Sequence, residues 1–387
     1  MTVDPSTVYQ RIDGFGASTA WNSGFMNPTT DPATLWSTTT GAGLSLHRIR
    51  IDPTTDSTSE VSIAQSAVSY GVKVWATPWT PPAADKSNDS TVEGTLTNPQ
   101  AFATYLTGFV TNMKNKGVDI YAVSSQNEPD ANVTYESCSY TGATLASFVG
   151  TYMGPAFSGS GVLVMTPETQ NWCDFPSFES ALQANTAAWN AASIVATHEY
   201  GCNPSAYPAI QQAGKAFWET EIYDLNSTED TGMGSGLRIA ALIYDALTVA
   251  NMNAWHYWWV YGSVNGGLWD TGANVWTKRL WVEGNFARFV RPGYNRIGVT
   301  GTAPSGVSVI AFANPADATV VIVAINTNTT TTNLPLFVSG TEWPSQVVPW
   351  VTSSADNIAA QAAINLTAAN FSATLAAQSV TTFVGQP

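Results

Sequence analysis

The sequence predicts a (β/α)8 barrel over residues 12–290 and a side β-sandwich over residues 291–387, which the N-terminal strand, residues 1–11, is expected to join. Eight short apolar runs, each stopped by polar, Gly or Pro residues, alternate with stretches of helical periodicity, the pattern of parallel strands linked by crossover helices. At Val290-Arg291-Pro292-Gly293-Tyr294 this alternation gives way to short β-rich runs separated by Gly, Pro, Asn and Thr, as expected of a sandwich. A chain of 387 residues also has the right length for a barrel of about 250 residues and a companion of about 100.

In chain order, Ile12 to Ser18 is the first strand, with glycine punctuation, and Pro32 to Thr39 a short helix. Leu44 to Ile51 is the second strand, its period of two placing Arg48 and Arg50 on one side. A helix near Ser62 to Tyr70 leads to the third strand, Val72 to Thr77, which runs into the rigid loop Pro78-Trp79-Thr80-Pro81-Pro82. Asn98 caps a helix reaching about Lys116, with Phe102, Tyr105, Leu106, Phe109 and Val110 on one face. The fourth strand begins at Val118 and delivers Ser124-Ser125-Gln126-Asn127-Glu128-Pro129. Residues 142–155 read as helix, and Val162 to Met165 as the fifth strand, running into Thr166-Pro167-Glu168. After a helix over Phe178 to Ala188, the sixth strand, Ile194 to Thr197, reaches His198-Glu199-Tyr200. A short helix around Ser205 to Ala213 precedes the seventh strand, Phe217-Trp218-Glu219-Thr220-Glu221-Ile222. A helix over about Ser235 to Ala250, the eighth strand near Asn253 to Trp259 and a helix over Lys278 to Phe289 complete the barrel. In the companion, Val307 to Ala313, Thr319 to Asn326 and Ser379 to Val384 read as strands.

Composition narrows the function classes. With 14 Lys and Arg against 28 Asp and Glu the net charge is −14, which disfavours an electrostatic grip on nucleic acid or an anionic membrane. The most apolar stretch, residues 239–261, is interrupted by Asp245 and two Asn, and reads as a helix and a strand, not a membrane span. Only 11% of residues are charged, while 15 Trp and 14 Tyr suit a neutral, hydroxyl-rich partner. No signal peptide is visible and Thr2 to Arg11 already reads as folded sequence, so the expectation is the mature form of a secreted, extracellular monomer carrying an added initiator Met. Cys138, Cys173 and Cys202 each fall in a loop after a strand, leaving one disulfide or three free thiols open. No metal or cofactor site is expected: the chain lacks paired ligand spacing, and its three His stand at 47, 198 and 256.

The chemistry rests on two acids. Glu128 and Glu221 stand at the ends of the fourth and seventh strands, the rim where barrels of this kind carry their active sites. Asn-Glu-Pro alone is an ordinary turn; its position gives it weight. Cleaving an acetal requires a proton donor for the leaving oxygen and a carboxylate facing the developing oxocarbenium ion. Two carboxyls about 5 to 5.5 Å apart supply both, because their repulsion separates their pKa values. Asn127 beside Glu128 suits an amide that bonds a sugar hydroxyl while its neighbour donates the proton, which leaves Glu221 as the nucleophile of a retaining mechanism. Glu219 shares a face with Glu221 but lies below the rim, and Glu168, Glu199 and Asp130 are assigned structural or substrate-side roles.

Gly14-Phe15-Gly16, the Leu46 to Asp52 run, Pro78-Trp79-Thr80-Pro81-Pro82-Ala83, Gln126-Asn127-Glu128-Pro129, Trp218-Glu219-Thr220-Glu221, Asn253 to Trp259 and Phe286 to Gly293 occur in this order. Together they resemble glycoside hydrolase family 30, closest to its bacterial glucuronoxylanase/xylanase branch (subfamily 8), from about Arg11 to the C-terminus. The resemblance implies a retaining hydrolase with Glu128 as acid/base and Glu221 as nucleophile, a sugar site lined by Trp79, Asn127, Tyr200 and Trp258, and Arg50 as the arginine near the nucleophile. Its substrate would be xylan or xylo-oligosaccharides.

One departure stands out. The glucuronoxylanases of that branch bind the glucuronate side group with an arginine soon after the paired aromatics of strand eight, and here no Lys or Arg lies between Arg238 and Lys278. The expectation is therefore a β-1,4-endoxylanase independent of glucuronate branches. The alternatives are a glucuronoxylan-specific enzyme recruiting Lys278 or Arg279, another family activity such as β-1,6-glucanase or glucosylceramidase, and a non-catalytic carbohydrate-binding protein.

Overall fold

The computed structural model describes residues 1–55, 58–340 and 344–385. Eight parallel strands close into a barrel: Gly14–Ser18, Leu46–Ile51, Lys73–Pro78, Ile120–Ser124, Leu163–Asn171, Ala192–Tyr200, Ala216–Glu219 and Ala254–Gly262. Closure runs through the eighth strand, which pairs with the first along Gly14 to Ser18 and with the seventh at Trp218 and Ala254. The glycines of the first strand answer a steric demand, since a Cβ on Gly16 would stand 2.4 Å from the Leu46 carbonyl oxygen and one on Gly14 2.3 Å from Ser45 Oγ.

Two apolar layers hold the barrel. Its interior is filled by Leu46, Trp75, Ala122, Met165, Ile194, Trp218 and Ala254, with the Trp75 and Trp218 rings 6.2 Å apart edge to face. The outer layer packs helices on the strands. In the helix Pro99–Asn115, buried Phe102, Leu106, Phe109 and Met113 recur at helical spacing, and the Asn98 side chain caps the first turn by accepting from Ala101 N–H.

Several boundaries differ from the periodicity. The expected helix over Phe178 to Ala188 is two helices, Phe175–Ala184 and Thr186–Ala191, because the Asn185 side chain accepts from Ala188 N–H at 3.1 Å and starts a second helix there. The helical stretch from Gly142 is interrupted by a wider π turn over Val149–Met153 before Gly154–Phe157. The fifth strand continues to Asn171, past Pro167 and Glu168.

The C-terminal strands form one hydrogen-bonded path folded over its own core of Val3, Ile297, Val309, Ile322, Leu334, Phe371 and Phe383. Strand Thr2–Arg11 lies within that path, antiparallel to Asn295–Thr300 and parallel to Thr332–Val338. Phe371, from the strand at one end, meets Phe383 with ring centroids 5.4 Å apart, so the path curls back on itself. Contact with the barrel runs through Asn285, whose amide donates to Trp350 O and Thr382 Oγ, each at 3.0 Å. No helix among the described residues is long and apolar enough to cross a membrane.

Cys173 and Cys202 form a disulfide between the loops after the fifth and sixth strands, and Cys138 is a free, buried thiol. The cross-link spans 29 residues, so Cys173→Ser should cost about 3 to 4 kcal/mol through the entropy of the unfolded chain, read as a lower denaturation midpoint that reduction of the wild type reproduces.

Candidate active site

Where the fourth strand ends, the chain turns under tight backbone control. Asn127 N–H donates to Pro78 O at 2.8 Å and Glu128 N–H to Glu168 O at 2.9 Å, tying the loop to the third and fifth strands. Glu128 adopts φ 48°, a left-handed conformation that costs on the order of 1 to 3 kcal/mol outside glycine and persists only where the surroundings enforce it. On the other side of the bowl, Glu219 ends the seventh strand inside the barrel, where it accepts from His256 N–H at 2.7 Å. Glu221, two residues on, comes up on the same face at the rim.

The two acids converge. One oxygen each of Glu128 and Glu221 and one nitrogen of His198 all lie within 4.8 Å of one another. So close an approach of two carboxyl oxygens is in keeping with the roughly 5 to 5.5 Å carboxyl spacing of retaining enzymes, which is shorter than that of inverting ones.

A charge cluster surrounds them. Arg48, fully buried, donates through Nη1 to Glu221 Oε2 at 2.5 Å and through Nη2 to Asn127 Oδ1 at 2.6 Å and Glu168 Oε1 at 2.8 Å. The arginine beside Glu221 is thus Arg48, not Arg50 as the family resemblance implied. Arg50 shares its face but stands two residues nearer the rim, where it pairs with Glu136 and Asp52 and lies 5.3 Å from the Trp21 ring. His198 sits between three carboxylates, 3.2 Å from Glu128 Oε1 and 3.6 Å from both Glu168 Oε1 and Glu221 Oε2. Burial alone would push its imidazole down; Glu221, Glu128 and Glu168 outweigh that and raise it to about 10, so it is an imidazolium at neutral pH.

Two cations, Arg48 and His198, face three carboxyls, Glu128, Glu168 and Glu221. Burial pushes Glu168 up, but Arg48 and His198 prevail and hold it below the carboxylate range, so it serves as a fixed anion. Burial and the neighbouring Glu128 charge push Glu221 up, against His198 and Arg48. Its Oε2 meets the Arg48 guanidinium directly and its Oε1 accepts the Tyr200 hydroxyl at 3.1 Å, contacts that favour the ionised form against that push. No arginine contacts Glu128 directly. In the free protein burial pushes it up as well, but His198, the Tyr135 hydroxyl and Arg48 overcome burial and hold it below its ordinary value.

The acids open into a cleft of about 620 Å³ lined by Trp21, Trp79, Tyr135, Gln170, Tyr200, Tyr223, Trp258 and Trp259, with no Lys or Arg in its lining. Trp79 also lines the cleft but is only 2% exposed; its ring lies 4.5 Å from the Arg48 guanidinium carbon and 5.8 Å from the Trp258 ring. Asp130 accepts from Gln170 and Asn171 N–H, and Glu199 accepts from Trp255 Nε1–H; both are structural. Lys278 is occupied with Asp356 O and Asn357 Oδ1, and Arg279 is fully buried on Gly267 O and Asp230 O, so neither reaches the cleft.

Sequence reasoning did not single out His198, Tyr135 or the inward role of Arg48. Alternation could have found His198, two residues before Tyr200 on the same strand face; nothing in the sequence pointed to Tyr135. Glu128, His198 and Glu221 also have the donor types of a metal site. The positive charges of His198 and Arg48 oppose a cation there.

Residues 45–269 match the glycosyl hydrolase family 30 TIM-barrel domain. The chain belongs to that family. It is 32% identical to glucuronoxylanase XynC of Bacillus subtilis across 99% of this chain and 91% of the relative. Among solved structures, the family 30 subfamily 8 xylanase Xyn30A from Clostridium acetobutylicum superposes with a TM-score of 0.90 at 34% identity, covering 100% of this chain and 99% of the other. The family 30 endoxylanase from Clostridium papyrosolvens does so with a TM-score of 0.86 at 33% identity and the same coverage. The barrel is therefore this family's TIM-barrel domain, and the whole chain lies close to its subfamily 8 xylanases.

Proposed function

We propose that the protein is a retaining endo-β-1,4-xylanase that cleaves xylan without depending on glucuronate branches. The observation that carries this reading is a pair of rim glutamates at retaining distance, opening into an aromatic cleft with no cation in its lining. Glu128 protonates the glycosidic oxygen while Glu221 attacks the anomeric carbon; the C–O bond to the leaving chain breaks as the bond to Glu221 forms. Water, deprotonated by Glu128, then releases the sugar with retained configuration. Asn127, fixed by Arg48, offers its amide to a sugar hydroxyl, and Trp258 offers an apolar face to a pyranose ring.

The positions of the cations support independence from glucuronate. A bound carboxylate would need charge-assisted bonds contributing about 1.5 to 3 kcal/mol each. Arg238, the nearest preceding cation in sequence, is paired with Asp224 and Asp230. Rates on glucuronoxylan and on undecorated linear xylan should agree within a few-fold; products cut at a fixed distance from each branch would overturn that part of the reading. Monomeric action outside the cell is part of the same proposal, and a disulfide beside the cleft supports an oxidising compartment.

A further inference from the structure

Both oxygens of the acid/base are already engaged in the free protein. Oε1 faces the His198 Nδ1–H at 3.2 Å, and Oε2 accepts the Tyr135 hydroxyl at 2.5 Å. A proton on Oε1 would point at the imidazolium N–H, so the proton delivered to substrate must sit on Oε2. The glycosidic oxygen must therefore approach the oxygen that Tyr135 occupies. We propose that Tyr135 is a plug on the acid/base: its hydroxyl holds Glu128 Oε2 in the free enzyme, and the incoming leaving-group sugar displaces it. This inference rests on the hydrolase reading above.

The surroundings permit that motion. Tyr135 is 43% exposed, and the segment before it, Asn132 to Thr134, is mostly exposed too, so the ring can turn out toward solvent without opening the core. The following residues are fixed: Glu136 is held by the Arg50 fork and bridges to Val92, and Ser137 N–H donates to Thr91 O. The side chain can thus swing while its loop stays in place. Tyr200, its counterpart on Glu221, lies deeper, ringed by His198 and Tyr223, with no such exit.

The plug has a kinetic signature. The charged groups facing Glu128 are His198 on the sixth strand, Arg48 on the second, Glu221 just past the end of the seventh, Glu168 on the fifth and Asp130 on its own loop; all stay in place when Tyr135 leaves. The Tyr135 hydrogen bond favours ionised Glu128, so it lowers the pH at which the free enzyme loses its acid. The alkaline limb of kcat/KM, which reports the free enzyme, should lie below that of kcat, which reports the complex. Tyr135→Phe should move the alkaline limb of kcat/KM up by about one pH unit, toward the kcat limb, and leave the kcat limb in place. The substitution keeps the ring, and an unchanged melting temperature separates the effect from misfolding. Limbs that move together, or do not move, would overturn the plug, as would a complex of Glu128→Gln with a xylo-oligosaccharide spanning the cleft in which the Tyr135 hydroxyl still bonds residue 128. Failure of the wild type to hydrolyse either linear xylan or glucuronoxylan would instead overturn the hydrolase reading.

Discussion

Glu221→Gln should lower the rate on linear xylan by on the order of 10⁴-fold or more while the protein stays folded. The variant keeps the shape of the side chain and an amide oxygen to accept from Arg48 and Tyr200, but it can neither form nor release a glycosyl ester. Glu128→Gln should behave differently. It removes proton transfer, a factor of about 10² to 10⁴, so its deficit should shrink on aryl xylosides whose leaving groups need little protonation. Reducing-sugar release from xylan and phenolate release from the aryl substrate separate the two. Full activity in either variant would deny that residue its role.

Arg48→Leu should damage folding and catalysis together. Arg48 is wholly buried, and its guanidinium is the cation nearest both Glu168 and Glu221. Truncation would leave two buried carboxyls short of their counter-charge, a loss of about 3 to 5 kcal/mol. Glu168 fixes the pH dependence. In the wild type its carboxyl is held below the ordinary value of 4.5, so the ion pair contributes stability above that pH, and this contribution is lost as pH falls through the lowered value. The stability gap between wild type and Arg48→Leu should thus be widest near neutrality and narrow on acidification, as urea unfolding at several pH values would show. Activity should fall by roughly 10² to 10³-fold as the nucleophile loses its charge partner. A substitution at Arg50, whose partners Glu136 and Asp52 lie at the rim, should cost far less in stability.

Much of this molecule was legible in the residues because its signals are local. Eight apolar runs with intervening helical periodicity specify a barrel, since each strand must bury both faces and each helix one. The two glutamates could be paired from sequence because strand ends in such a barrel share one rim, so counting strands to Glu128 and Glu221 places both at the same bowl. The glycines of Gly14-Phe15-Gly16 read only as punctuation in a strand, and the structure shows the close approach to Leu46 that requires them. Helix ends were less legible: Asn185 in an otherwise continuous periodic stretch acts as a cap only because its side chain finds Ala188 N–H.

By itself the sequence determined the strand count, the face on which each rim residue lies and the presence of two acids able to divide the chemistry. Tertiary structure decided depth and partnership: that Arg48 and not Arg50 meets Glu221, that His198 charges up among three carboxylates, that Tyr135 comes back onto Glu128, and that Lys278 and Arg279 are engaged elsewhere. Alternation along a strand fixes the side of the sheet but not the height in the bowl. Height depends on the stagger of neighbouring strands and the path of the loops, which are set by contacts between residues far apart in the chain.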